Sequence, residues 1–155
     1  MLVVFVKLSR PSKFFNLMEV AEIVAKRSPD PETKVGAVLV SNKSGAILAT
    51  GFNGFIRGAN DSLLPKTRPD KYKYIVHAEE NLIANCARHG IAMDDCSLFC
   101  TYSPCSKCMR LLFQSGITQV IIQYLYRDFD ELNQMLDIKI TEKITDEGFI
   151  ILTYS

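Results

Sequence analysis

His77-Ala78-Glu79 and, further along, Pro104-Cys105-Ser106-Lys107-Cys108 bring together residue types that can hold a metal and use it. One imidazole and two thiolates are three donors suited to Zn²⁺. Three protein donors leave the fourth tetrahedral position open, which separates a zinc that does chemistry from a closed structural one. Glu79 stands two residues from His77, and side chains two apart do not share a helix face. It is therefore expected beside a water on the open position, as an acid/base group, and not on the metal. Two thiolates donate more charge than imidazoles do. The water should then be acidified less than in the best-known site, where its pKa falls to about 7, and should need a base more. A lone C-x-x-C is equally a redox pair, half of a structural site or two buried thiols, and a lone H-x-E says almost nothing. Specificity comes from finding both, with proline before the first cysteine.

Two helices must position these groups. Proline suits the first turn of a helix, where its missing N–H costs nothing, so Pro104 is expected there. Cysteines three apart then lie on one face, at the end where the helix dipole favours thiolate. Met109, Leu111, Leu112 and Phe113 carry this helix to a stop at Gly116. Ala78 to His89 has helical spacing at Leu82, Ile83 and Cys86 and ends at Gly90. The two helix starts should meet at one end of a sheet.

The rest of the chain supplies that sheet. Phe14 to Arg27 has apolar residues at amphipathic helical spacing, with Ser12 as N-cap and Pro29-Asp30-Pro31 as terminator. Val35 to Val40 and Ile47 to Gly51 read as a hairpin about a turn at Ser41 to Gly45, and residues 53–76 as a long loop. Strands are expected at Ser97 to Thr101, Gln119 to Gln123, Lys139 to Ile144 and Phe149 to Leu152, with a short helix near Asp130 to Leu136 and an N-terminal arm or strand at Met1 to Val6. Helices alternating with strands after a hairpin predict an α/β protein, a three-layer α/β/α sandwich around a central mixed sheet.

With 155 residues and 48% hydrophobic content, one ordinary core can form without staples, so residues 1–155 are expected to be a single domain. A net charge of +1 leaves no electrostatic footprint for a nucleic-acid polymer or an acidic membrane, though a few local cations suffice for one phosphate. Lys34, Arg57, Lys71 and Arg127 are the candidates. The apolar start is too short for a signal-peptide core, and no stretch approaches the ~20 apolar residues of a membrane span. Cys86, Cys96 and Cys100 read as helix interior, loop and strand, and are expected to be buried reduced thiols. His89 falls at a helix end, in a surface or capping role.

These motifs resemble the cytidine/deoxycytidylate deaminase superfamily, most closely its deoxycytidylate (dCMP) deaminases, over about Phe14 to Tyr126. H-x-E with P-C-x-x-C is the zinc-deaminase signature. Arg27-Ser28-Pro29-Asp30-Pro31 before Val35-Gly36-Ala37-Val38, the Gly51-Phe52-Asn53-Gly54 turn, Leu64-Pro65, Lys71-Tyr72-Lys73-Tyr74, Gln114-Ser115-Gly116-Ile117 and Tyr126-Arg127 carry the likeness further. The resemblance implies a cytidine deaminase-like fold and zinc-dependent hydrolysis of dCMP to dUMP. His77, Cys105 and Cys108 would hold Zn²⁺. An activated water would attack C4 of the cytosine ring, and Glu79 would shuttle protons to N3 and the departing amine. Asn53 would bond the sugar or phosphate, the Ala78 backbone would contact the base, and Tyr126 would line the nucleotide pocket. It further implies a cytoplasmic homo-oligomer, commonly a hexamer, regulated by dCTP and dTTP with Mg²⁺. Ile56 and Leu82 replace the family's usual Pro and Ala, and Glu32 falls where some members carry Arg near the phosphate. The 53–76 loop has no Cys or His, so the extra loop zinc of some members is not expected.

Other zinc deaminases, acting on tRNA adenosine, free cytidine or a riboflavin precursor, are the nearest alternatives. tRNA-editing members usually have a shorter segment before H-A-E and a basic face, and free cytidine deaminases usually have Cys in place of His77. A non-catalytic, zinc-stabilised protein is a further alternative, against which Glu79 argues, because a structural site needs no acid/base carboxylate.

Overall fold

The computed structural model describes residues 10–125 and 140–154. Helix α1 (Lys13–Ala25) starts where Ser12 Oγ accepts the Phe15 N–H at 3.1 Å, as a serine N-cap should. It ends two residues before the expected Arg27. Ser28 precedes a proline, which disfavours helical dihedrals there, and the Ser28 N–H closes the last turn on the Ala25 carbonyl. Strands β1 (Gly36–Ser41) and β2 (Ile47–Phe52) form the expected hairpin, and α2 (Ala78–His89) closes on Gly90 in the left-handed conformation. Between β2 and α2, the long loop carries two short 3₁₀ turns, at Asp61–Leu63 and Asp70–Lys73. Strand β3 (Cys96–Tyr102), helix α3 (Ser106–Gln114) and strand β4 (Ile117–Tyr124) follow, and β5 (Ile140–Ile144) with β6 (Ile150–Tyr154) makes a closing hairpin. Cys96 opens β3, where a loop position was expected. The expected 130–136 helix and N-terminal arm lie outside the described residues.

The sheet runs β2-β1-β3-β4-β6-β5, with β3 and β4 parallel and every other pair antiparallel. It is the expected mixed sheet. Alternation along each strand assigns side chains to two faces. Val38, Val40, Phe99, Ile121 and Phe149 meet Leu17, Met18 and Ala21 of α1. On the opposite face, Ala37, Leu39, Leu98, Cys100, Val120 and Ile122 meet Leu82 and Cys86 of α2 and Met109 and Leu112 of α3. Three layers result, α1 on one face and α2 with α3 on the other.

Two glycines set the layer spacing. A Cβ on Gly51 would run into the Ala78 carbonyl and lie 2.7 Å from the Leu82 N. One on Gly36 would strike the Ala21 carbonyl and lie 2.7 Å from the Ala25 N. Gly51 thus lets α2 lie directly on β2, and Gly36 does the same for α1 on β1.

Candidate metal centre and its cavity

One end of the sheet gathers the chemistry. Ala37 pairs with Cys100 and Gly36 with Phe52, so β1 begins where β2 and β3 finish. Both ligand-bearing helices start at that end. The long loop returns through a Gly54–Val76 bridge and delivers His77 as the N-cap of α2. Strand β3 passes through Ser103 and Pro104 to Cys105, the N-cap of α3. This corrects the expectation for Pro104, which lies just before the N-cap, two residues ahead of the first helical residue, and not in the first turn. Cys105 takes the extended cap conformation, ψ 164°, and Cys108 sits one turn inside, fully buried.

His77 Nδ1 lies 3.7 Å from Cys105 Sγ and 3.5 Å from Cys108 Sγ, and all three donor atoms fall within 4.8 Å of one another. A tetrahedral zinc with Zn–S of about 2.3 Å and Zn–N of about 2.0 Å holds such nitrogen and sulfur atoms roughly 3.5 Å apart. The donors fit that ion in spacing. They fit it in charge as well. Hydrogen bonding from Cys108 and from His77 holds the Cys105 thiol down to about 3, despite burial. The same Cys105–Cys108 contact, with burial, pushes Cys108 far up. Two sulfurs sharing one proton become two thiolates only when a cation replaces it.

Glu79, in the first turn of α2, is 4% exposed. Burial is the main cause that lifts its carboxyl to about 7, partly offset by its own backbone N–H and by His77. It is not one of the three grouped donors. Ala78 is the first residue of α2, so its N–H has no partner within the helix. Both border a cleft of about 590 Å³ that also reaches His77 and Cys105.

Across the cleft, Asn53 Oδ1 accepts the Val35 N–H at 2.8 Å, while Nδ2 donates to the Thr33 carbonyl at 2.9 Å and more weakly to Asp30 at 3.4 Å. These bonds tie the loop to the start of β1 and leave one lone pair on Oδ1. Lys71, expected as a phosphate candidate, is 2% exposed and held at 2.7 Å by Asp30 and 2.9 Å by Glu32. Its charge is already balanced by two carboxylates. Burial raises the Asp30 carboxyl, but the Lys71 ammonium and the Glu32 and Thr33 N–H groups outweigh it and hold Asp30 below its ordinary value. Lys34 bonds the Ser28 carbonyl, Arg57 is exposed and away from the cleft, and Tyr126 and Arg127 lie outside the described residues.

Arg68 and Tyr102 are among the bordering residues that were not anticipated. Arg68 is held by Thr33 Oγ1 at 2.8 Å and Tyr72 Oη at 2.9 Å. Nothing local in the sequence distinguishes it from Arg57; only the path of the loop does. Tyr102 ends β3 on the cleft, its ring 5.2 Å from that of Tyr124. An aromatic three residues before the first cysteine was its one signal. Cys86, Cys96 and Cys100 are buried free thiols, and His89 is exposed at the end of α2. Among the described residues no helix is long and apolar enough to cross a membrane.

Residues 12–124 match the family model of the cytidine and deoxycytidylate deaminase zinc-binding region. The chain is 38% identical over 121 residues to human deoxycytidylate deaminase, covering 74% of this chain and 66% of that one. It is 36% identical over 124 residues to a probable deoxycytidylate deaminase of Caenorhabditis elegans, covering 77% and 60% respectively. The match thus spans between 60% and 66% of these relatives' length. Among solved structures, dCMP deaminase of the cyanophage S-TIM5 superposes with a TM-score of 0.67 at 32% identity, over 81% of this chain and 94% of that one. The same phage enzyme solved with dCMP and dUMP gives 0.66.

Proposed function

We propose, starting from a chain that belongs to the cytidine and deoxycytidylate deaminase zinc-binding family, that it is a zinc-dependent enzyme hydrolysing dCMP to dUMP and ammonia. The observation that carries this is one imidazole and two sulfurs at zinc-ligand spacing with a buried carboxyl beside them. Support for the substrate comes from relatives that bear the name deoxycytidylate deaminase, from the phage enzyme solved with dCMP and dUMP, and from a guanidinium on the cleft wall.

His77, Cys105 and Cys108 would hold the zinc, which when bound supplies a polarised, easily deprotonated water. Net chemistry adds that water's oxygen at C4 of the cytosine ring and breaks the C4–N4 bond. Glu79 manages the protons. Burial raises the proton affinity of this carboxyl above the ordinary carboxylate value, which suits a group that must both accept and return a proton. It takes one from the water, places it on N3, and delivers the next to the leaving amine, which departs as ammonia. The Ala78 N–H is assigned to the base carbonyl and the free lone pair of Asn53 Oδ1 to a sugar hydroxyl. Tyr102 walls the base, Tyr126 is assigned to the same pocket, and Arg68 to the 5′-phosphate.

The finer features of the reading are that residues 1–155 act as one catalytic domain in a cytoplasmic homo-oligomer, a hexamer, with dCTP and dTTP as effectors through Mg²⁺. Ammonia release from dCMP, CMP and deoxycytidine, each with and without dCTP or dTTP, tests both levels. Turnover fastest on dCMP and raised by dCTP is expected. Preference for deoxycytidine overturns the substrate, and no ammonia from any of the three overturns the activity.

A further inference from the structure

Glu80 follows Glu79 but faces the other way. Its Oε2 accepts the His77 N–H at 3.0 Å, and its Oε1 accepts the Lys107 ammonium at 2.7 Å. His77 starts α2, and Lys107 lies between the two cysteines in the first turn of α3. One carboxylate therefore grips the backbone of the imidazole donor and the helix that carries both sulfur donors. Of the ion pairs among the described residues, this one alone joins the two ligand-bearing helices. Each helix is also seated on the sheet, and the two touch one another within the same core, but the bond that ties the start of one directly to the start of the other by charge is Glu80–Lys107.

Resting on the zinc reading above, we propose that Glu80 and Lys107 are positioning residues. Their bridge holds the helix starts in register, so that His77 Nδ1 and the sulfurs of Cys105 and Cys108 keep ligand spacing. A purely stabilising role is a poor fit. The Lys107 side chain is 68% exposed, and exposed pairs add little to folding stability. A purely electrostatic role predicts the wrong sign for one partner, because an ammonium near a dication repels it. Removing the Lys107 charge would then tighten zinc, whereas loss of positioning weakens it. Outer groups that orient metal ligands typically change affinity by about 10–100-fold.

The test is zinc affinity of the full chain by competition with a chelating indicator, alongside thermal unfolding of the zinc-free protein. Glu80→Gln keeps an acceptor for the His77 N–H, and Lys107→Met keeps the aliphatic stem, so both variants should fold. Each is expected to weaken zinc at least tenfold, the double variant no more than either single, and Lys107→Arg to retain the parent's affinity. Zinc binding within twofold of the parent in both singles, or tightened by Lys107→Met, overturns the proposal while the deaminase reading stands. A change confined to the melting of the zinc-free protein overturns it too. A parent chain that binds no zinc removes both.

Discussion

Glu79 and Glu80 are neighbours in one helical turn with opposite surroundings. Burial lifts Glu79 to about 7. Burial also raises Glu80, but Lys107 and the His77 N–H outweigh it and leave Glu80 below its ordinary value. H-x-E in the sequence pointed to the first; nothing pointed to the second, whose partner is 27 residues away. Lys107 and Lys71 show the same limit, because an isolated lysine does not reveal whether it meets solvent, a carboxylate or a ligand. Lys71 closes on Asp30 across 41 residues, and Lys71→Met should leave that carboxylate buried without its ion partner. Breaking a buried pair this way costs about 3 kcal/mol, read as a lower midpoint in urea. The pH dependence follows in sign. Because Asp30 is held below its ordinary value, its contribution is complete above about pH 4, the unfolded carboxyl value, and is lost as pH falls through the lower folded value. Losing Lys71 raises that folded value, so acid unfolding of Lys71→Met should begin at higher pH than in the parent. For Arg68, replacement by Ala should raise KM for dCMP roughly tenfold or more, the scale of a lost charge-assisted bond, with little change for deoxycytidine. Equal losses on both substrates would remove Arg68 from the phosphate.

At the scale of elements, the helices are where sequence was most informative. Ala78–His89 came out with its bounds intact, since a ligand motif marks one end and a cap glycine the other. The Cys105 helix was expected to start at Pro104 and starts two residues later, at Ser106. Proline is equally at home just before a cap, and the choice was decided by the extended backbone of Cys105, not by its neighbours. The loop from Asn53 to Val76 was legible only as a loop. Its contacts to Asp30, Thr33 and Val35 depend on folding back over the hairpin, which no local pattern encodes. The two close-approach glycines give a paired test of which layer serves the site. Gly51→Ala drives α2 away from β2 and displaces His77 with it. Gly36→Ala drives α1 from the opposite face. Overpacking of this kind costs about 1–3 kcal/mol, so both variants should melt earlier. Zinc affinity of the folded protein should fall for Gly51→Ala and hold for Gly36→Ala. Equal affinity in both would mean that the α2 seat does not set the ligand geometry.

Taken whole, the molecule builds a shallow division of labour from one sheet. The α1 face is a hydrophobic layer, and the α2/α3 face is a hydrophobic layer that ends in the donor set. The expected three layers and mixed sheet are present because apolar alternation and helix periodicity are local signals. The strand order, with β6 between β4 and β5, is not local and was not anticipated. Substituting Cys108→Ser should abolish stoichiometric zinc in metal analysis, since a neutral hydroxyl does not replace a buried thiolate, while the core under α3 still forms. The central claim is that the buried carboxyl of Glu79 moves the protons for hydrolysis at C4. It is tested most directly by ammonia release from dCMP by zinc-loaded Glu79→Gln. The expected result is one zinc per chain with turnover reduced by at least about 10²- to 10⁴-fold, the range of a lost general acid–base group. Turnover close to the parent's, with zinc in place, would contradict it.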